Sequence, residues 1–76
     1  MCLAKFIEDF EGAIDDVEPG SLFRDTLFKD LKSWDSLAVL MVTDVVEMEY
    51  GVLLTKKSFE NITSLEELYI LILSKK

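Results

Sequence analysis

Few side chains in this sequence could do chemistry. It holds no histidine and a single cysteine, Cys2, so its own residues build no Ser-His-Asp triad, Cys-His pair or imidazole metal ligand. With no second thiol, Cys2 forms neither an internal disulfide nor a multi-cysteine metal site. What remains is a serine beside a carboxylate, Asp35-Ser36-Leu37, placed where apolar residues begin to recur at helical spacing. At a helix N-terminus a serine hydroxyl lies near backbone N–H groups without intrahelical partners and near the positive end of the helix dipole. Both favour a phosphate esterified there. The same residues have a plainer use, because Asp and Ser are favoured helix caps. Both readings fit the tripeptide: a phosphoester on Ser36, or a simple cap by Asp35 or Ser36. A serine hydrolase fits poorly, since there is no imidazole base and Asp35 adjoins the serine too closely to replace one. The chain is expected not to be an enzyme.

The elements that must position this serine follow from hydrophobic spacing. Leu3, Phe6, Ile7, Phe10 and Ile14 recur on one side of a first helix, with Lys5, Glu8, Asp9 and Glu11 assigned to the other. Pro19-Gly20 is a turn signal, which predicts that this helix ends around Asp16 to Glu18. No period holds from there to Trp34. That segment still carries Leu22, Phe23, Leu27, Phe28 and Leu31, so it is expected to be an ordered, partly buried connection with one helical turn. A second helix begins in the Ser33-Trp34-Asp35-Ser36 cluster and runs to Tyr50, where Gly51 supplies a left-handed stop. Lys56 to Asn61 reads as a short helix with Phe59 inward. The last helix opens on two overlapping capping boxes, Thr63-x-x-Glu66 and Ser64-x-x-Glu67, continues with Leu65, Leu68, Tyr69 and Ile72, and ends on Lys75 and Lys76 at its negative pole. Gly51 to Thr55 is not assigned as a strand, having no partner to pair with. The expected fold is all-α: one domain spanning residues 1–76, a small bundle of three main helices plus one short helix, with a long ordered loop between the first two.

The second helix carries two apolar rows. Val39, Val42, Val46 and Tyr50 form one; Leu37, Leu40, Met41 and Met48 form the other, interrupted by Asp44 and flanked by Glu47. A small bundle needs one such row per helix. The second is either covered by the long connection or presented to partners as an apolar face rimmed by charge. With 8 basic and 15 acidic residues in 76, the net charge is −7, which disfavours nucleic acid and anionic membranes and points to basic proteins as partners. The apolar run Leu68 to Leu73, which no other exceeds, is far short of the ~20 residues that span a bilayer. A cytoplasmic monomer without a membrane span is expected.

Asp35-Ser36-Leu37 at the start of a second helix resembles the attachment site of acyl carrier proteins. The likeness extends to the long first connection, the glycine of Glu49-Tyr50-Gly51-Val52, the short third helix and the Thr-capped fourth. The resemblance implies that Ser36 receives a 4′-phosphopantetheine arm from coenzyme A, attached by a separate Mg²⁺-dependent phosphopantetheinyl transferase. The arm would carry an acyl group as a thioester, delivered to acyl-loading, condensing or transferring enzymes with basic docking patches. Asp35 and Leu37 would complete the motif, and Leu40, Met41, Asp44, Glu47 and Met48 would form the partner-binding face; no metal ligand is implied. Val39, Val42, Val46, Phe59, Leu65, Leu68 and Tyr69 fall to the core or to the walls of an acyl cavity. Fatty-acid carriers usually place acidic side chains just after the motif on the exposed side of the second helix, where this chain has Ala38 and Met41. That departure brings polyketide, modified-lipid and aminoacyl carriage alongside fatty-acid synthesis. Peptidyl carriers typically have glycines before the serine, which Ser33-Trp34 does not match. The reading from another class is a non-enzymatic adaptor that binds a partner through the second apolar row.

Overall fold

In the computed structural model, which describes residues 2–14 and 17–75, the chain forms three α-helices: α1 (Leu3–Ala13), α2 (Ser36–Tyr50) and α3 (Leu65–Lys75). Two 3-10 turns, Phe28–Asp30 and Lys56–Phe59, lie in the connections, and no strand occurs among the described residues. This is the expected all-α bundle with a long ordered first connection. Its radius of gyration, 11.0 Å, equals the roughly 11 Å of a fully compact chain of this length. α1 packs against both α2 and α3. The buried rows are Phe6 and Phe10 from α1, Val42 and Val46 from α2, and Leu65, Leu68 and Ile72 from α3.

The connection between α1 and α2 is held by aromatic packing, by backbone hydrogen bonds and by a lysine–carbonyl bond. Phe28 is fully buried and meets Phe10 edge-on at 5.4 Å and Trp34 edge-on at 4.9 Å. Trp34 stacks on Phe10 at 6.0 Å and touches Phe59 at 5.5 Å, so the residue two before Ser36 is clamped among aromatics. The carbonyls of Thr26 and Arg24 accept the N–H groups of Leu65 and Glu66 at 3.2 and 2.9 Å, and so satisfy two of the donors that the first turn of α3 leaves open. Lys29 Nζ donates to the Phe59 carbonyl at 2.7 Å. The loop therefore touches α1, α3 and the second 3-10 turn before it delivers the chain to α2.

Two expectations about α1 need correction. The helix ends at Ala13, not near residues 16–18; Ile14 is extended (φ −111°, ψ 129°) and buried. A β-branched residue suits that conformation, and here it turns its side chain into the core. Of the expected end, Asp16 lies outside the described residues, as do Asp15 and Lys76, while Val17 and Glu18 are not helical. Glu11, assigned to the solvent side, is buried. Its carboxylate accepts the Gly20 N–H at 3.0–3.1 Å and the Leu22 N–H at 3.0 Å, so the loop folds back over it. One loop aromatic is also not housed: Phe23 is exposed.

Elsewhere the local signals match. Gly51 closes α2 in the left-handed region (φ 69°), and its N–H reaches the Glu47 carbonyl. The short helix is the 3-10 turn Lys56–Phe59 with Phe59 buried. Of the two overlapping boxes, Ser64-x-x-Glu67 forms: Glu67 Oε1 accepts the Thr63 and Ser64 N–H groups and the Thr63 hydroxyl, and Glu67 N–H donates to Ser64 Oγ. Those bonds, the Thr63 hydroxyl foremost, hold the Glu67 carboxyl below its ordinary 4.5. Glu66 pairs with Arg24 of the loop instead. At the far end of α2 the Tyr50 hydroxyl donates to Asp9, which also receives Lys5. Burial first, and Asp9 second, raise the Tyr50 phenol above its ordinary value.

Candidate functional site

The N-terminus of α2 separates the two uses open to the Asp-Ser pair. Asp35 is the cap, with extended backbone (φ −138°, ψ −172°), and its Oδ1 accepts the Ala38 N–H at 2.9 Å. Its carbonyl opens the helical ladder to Val39. Ser36 is then the first helical residue, exposed, in a turn whose cap is already supplied. Because the capping oxygen comes from its neighbour, the Ser36 hydroxyl is not needed for that task. It sits at the positive end of a 15-residue helix, on a chain steadied from behind by Trp34, whose N–H bonds the Leu31 carbonyl.

The faces of α2 divide cleanly. Ala38, Val42, Val46 and Tyr50 recur every fourth residue and are buried, while Val39 is half-buried. On the outer side Leu37 is 61 % exposed, Leu40 62 %, Met41 43 % and Met48 82 %, with Asp44 and Glu47 exposed among them. The long connection does not cover this second apolar row. All the residues assigned to a partner face thus lie on one open surface that begins beside Ser36. Ala38 is a correction. Grouped with Met41 as an exposed position that lacks its acid, it is in the core, so Met41 alone remains to mark an apolar substitution there.

An open cavity of about 540 Å³ lies between the C-terminal end of α1 and the start of α2. Ala13, Ile14, Leu37, Ala38 and Met41 give it apolar walls; Lys32, Ser33 and Asp35 give it a polar rim. A second cavity of about 360 Å³, with Val17, Leu22 and Leu31 in its walls, shares Lys32 and Ser33 with the first. Sequence reasoning missed this groove. Its lining combines Ile14, just past the end of α1, with Lys32 of the loop, and no local pattern reveals that these distant segments border one cavity.

Comparison of the chain with protein-family models, with curated proteins and with solved structures returned no match. Among the described residues no helix is long and apolar enough to cross a membrane, and no three His, Cys, Asp or Glu side chains are grouped to hold a metal ion.

Proposed function

We propose that this chain is a carrier of acyl or related groups, with Ser36 as the attachment point of a 4′-phosphopantetheine arm. The observation that supports it most is the division of labour at the start of α2: Asp35 caps the helix, and the adjacent serine is left exposed at the dipole's positive end. The residues present fit the group. A phosphodiester on Ser36 would meet the positive helix terminus, and the groove beside it offers a cation and apolar walls. When bound, the arm supplies a thiol that holds cargo as a thioester. Attachment requires Ser36 Oγ to bond the phosphorus as the pyrophosphate of coenzyme A breaks, the nucleotide part leaving and the hydroxyl giving up its proton. That step belongs to a separate transferase.

The protein's own residues would then orient and dock. Asp35 fixes the first turn and so the direction of the Ser36 Cα–Cβ bond. The clamp on Trp34 limits the movement of the loop that leads into it. Asp44 and Glu47 steer basic partners, while Leu37, Leu40, Met41 and Met48 give short-range contact. A small face of this kind suits repeated visits to several enzymes, for which fast dissociation matters more than tight binding. The apolar character of the face, with Met41 next to Leu40, favours a specialised carrier of polyketide, modified-lipid or aminoacyl groups over the housekeeping fatty-acid pathway.

The open apolar row also favours a second reading, an adaptor that binds a partner helix or groove without modification. Incubation with coenzyme A and a broad-specificity phosphopantetheinyl transferase separates the two. The carrier reading expects an arm-sized mass gain in the unmutated protein and none in Ser36→Ala. An unchanged mass in both, with stable partner binding, would leave the adaptor.

A further inference from the structure

The sequence leaves Val42, Val46, Phe59, Leu65, Leu68 and Tyr69 two uses, as core or as the walls of an acyl cavity, and the packing distinguishes them. Every aromatic residue except Phe23 belongs to one network of ring contacts, with centroids 4.9–6.3 Å apart. It runs from Tyr69 and Tyr50 through Phe6 and Phe10 to Phe28, Trp34 and Phe59. The rings come from all three helices, the first connection and the second 3-10 turn, and they link the two ends of α2, since Trp34 precedes its start and Tyr50 is its last residue. Val42, Val46, Leu65 and Leu68 are buried in the same cluster. Neither cavity has any of these wall residues in its lining; both border the first connection at Lys32 and Ser33.

A hydrocarbon chain entering between the helices would have to part these rings. Stacked and edge-to-face pairs depend on their geometry, and in a close-packed interior the turning of one ring displaces the next. Trp34, two residues before Ser36, meets Phe59 at 5.5 Å and closes the interior at that end. The side chains best suited to re-form around a guest, Met41 and Met48, are on the outer face instead. Resting on the reading of Ser36 as the attachment point, we infer that the bundle takes no cargo inside, and that the group carried is one water tolerates: a short acyl group, or one with polar substituents such as an aminoacyl group. A long hydrocarbon left outside would add its surface to that of Leu37, Leu40, Met41 and Met48, already exposed beside the serine, at a cost that grows with each methylene. A small or polar group adds little. Its thioester is open to a docked enzyme at once, with no separation of the helices before transfer.

The test loads Ser36 from acetyl- and from octanoyl-coenzyme A with the same transferase, intact mass confirming each product and both forms being kept monomeric. Hydroxylamine is expected to cleave the two thioesters at the same rate, and the melting temperature is expected not to rise with chain length. Amide shifts of Val42, Val46, Phe59, Leu65 and Leu68 should not differ between the two forms. The terminal methyl protons of the octanoyl group should be relaxed by a soluble gadolinium chelate as strongly as those of octanoyl-pantetheine free in solution. Slower cleavage and a higher melting temperature for the octanoyl form, with its methyl group protected from the chelate wherever on the protein it lodges, would overturn the inference and leave the carrier reading intact. A long-chain acyl mass on Ser36 in protein recovered from its own cells would overturn it too. No gain of mass from either thioester or from coenzyme A itself would remove the carrier reading, and the inference with it.

Discussion

The inner and outer faces of α2 are built from the same kinds of residue and do opposite things. Val42 and Val46 are 1 % exposed, whereas Leu40 and Met48, equally apolar, are 62 % and 82 % exposed. Composition therefore does not decide which residues build the core. Position around the helix does, because α1 approaches one side only, and the other is left to present carbon to partners at a cost in exposed apolar surface. An apolar row that the fold does not use is what makes the outer face a candidate for recognition.

The sharpest way to break this comparison is to place the same charge on both sides. Val46→Asp would bury an unpaired carboxylate and is expected to cost more than about 4 kcal/mol, enough to unfold a domain this small. Met48→Asp is expected to change stability by no more than about 0.5 kcal/mol, while altering the docking of basic partners. Thermal melts followed by circular dichroism distinguish the two; equal losses would mean that the outer row is packed after all.

Next in size is the loop clasp. Glu11→Ala leaves the Gly20 and Leu22 N–H groups without their acceptor in a partly buried site, a loss of about 1–3 kcal/mol in a denaturant titration. A surface glutamate in a helix would give a change near zero, the result expected had the sequence assignment of this residue to solvent been correct. Its misplacement shows where sequence reasoning stops. Helix spacing put Glu11 with Lys5 and Glu8, and nothing local reveals that residues nine and eleven positions later return to it. The early end of α1, the burial of Ala38 and the backbone bonds from the loop to α3 were hidden for the same reason, since each depends on contacts between distant segments. What local chemistry controls was legible: a cap in the Asp35-Ser36 pair, the Gly51 stop, the Ser64-x-x-Glu67 box and a second apolar row on α2, although which of the pair caps and whether the row is open were not.

A smaller effect separates the two residues of the motif. Asp35→Ala removes the cap and should cost about 1 kcal/mol, whereas Ser36→Ala should leave the melting temperature essentially unchanged because its hydroxyl does not cap the helix. Comparable destabilisation by both would make the serine a structural residue. The smallest effect concerns net charge. At −7 the folded chain repels itself, and Asp44 and Glu47 on the outer face add to that field, so added salt or divalent cations should raise the melting temperature. A melting temperature insensitive to both would mean that the acidic charges are already compensated.

The central claim is that one exposed hydroxyl at the start of α2 is covalently used. Its most direct test is mass spectrometry of the protein recovered from the cells that make it, intact and as the peptide containing Ser36. A phosphopantetheine on that peptide, with or without acyl cargo, is the predicted result. A bare Ser36 throughout a fully active population would contradict it.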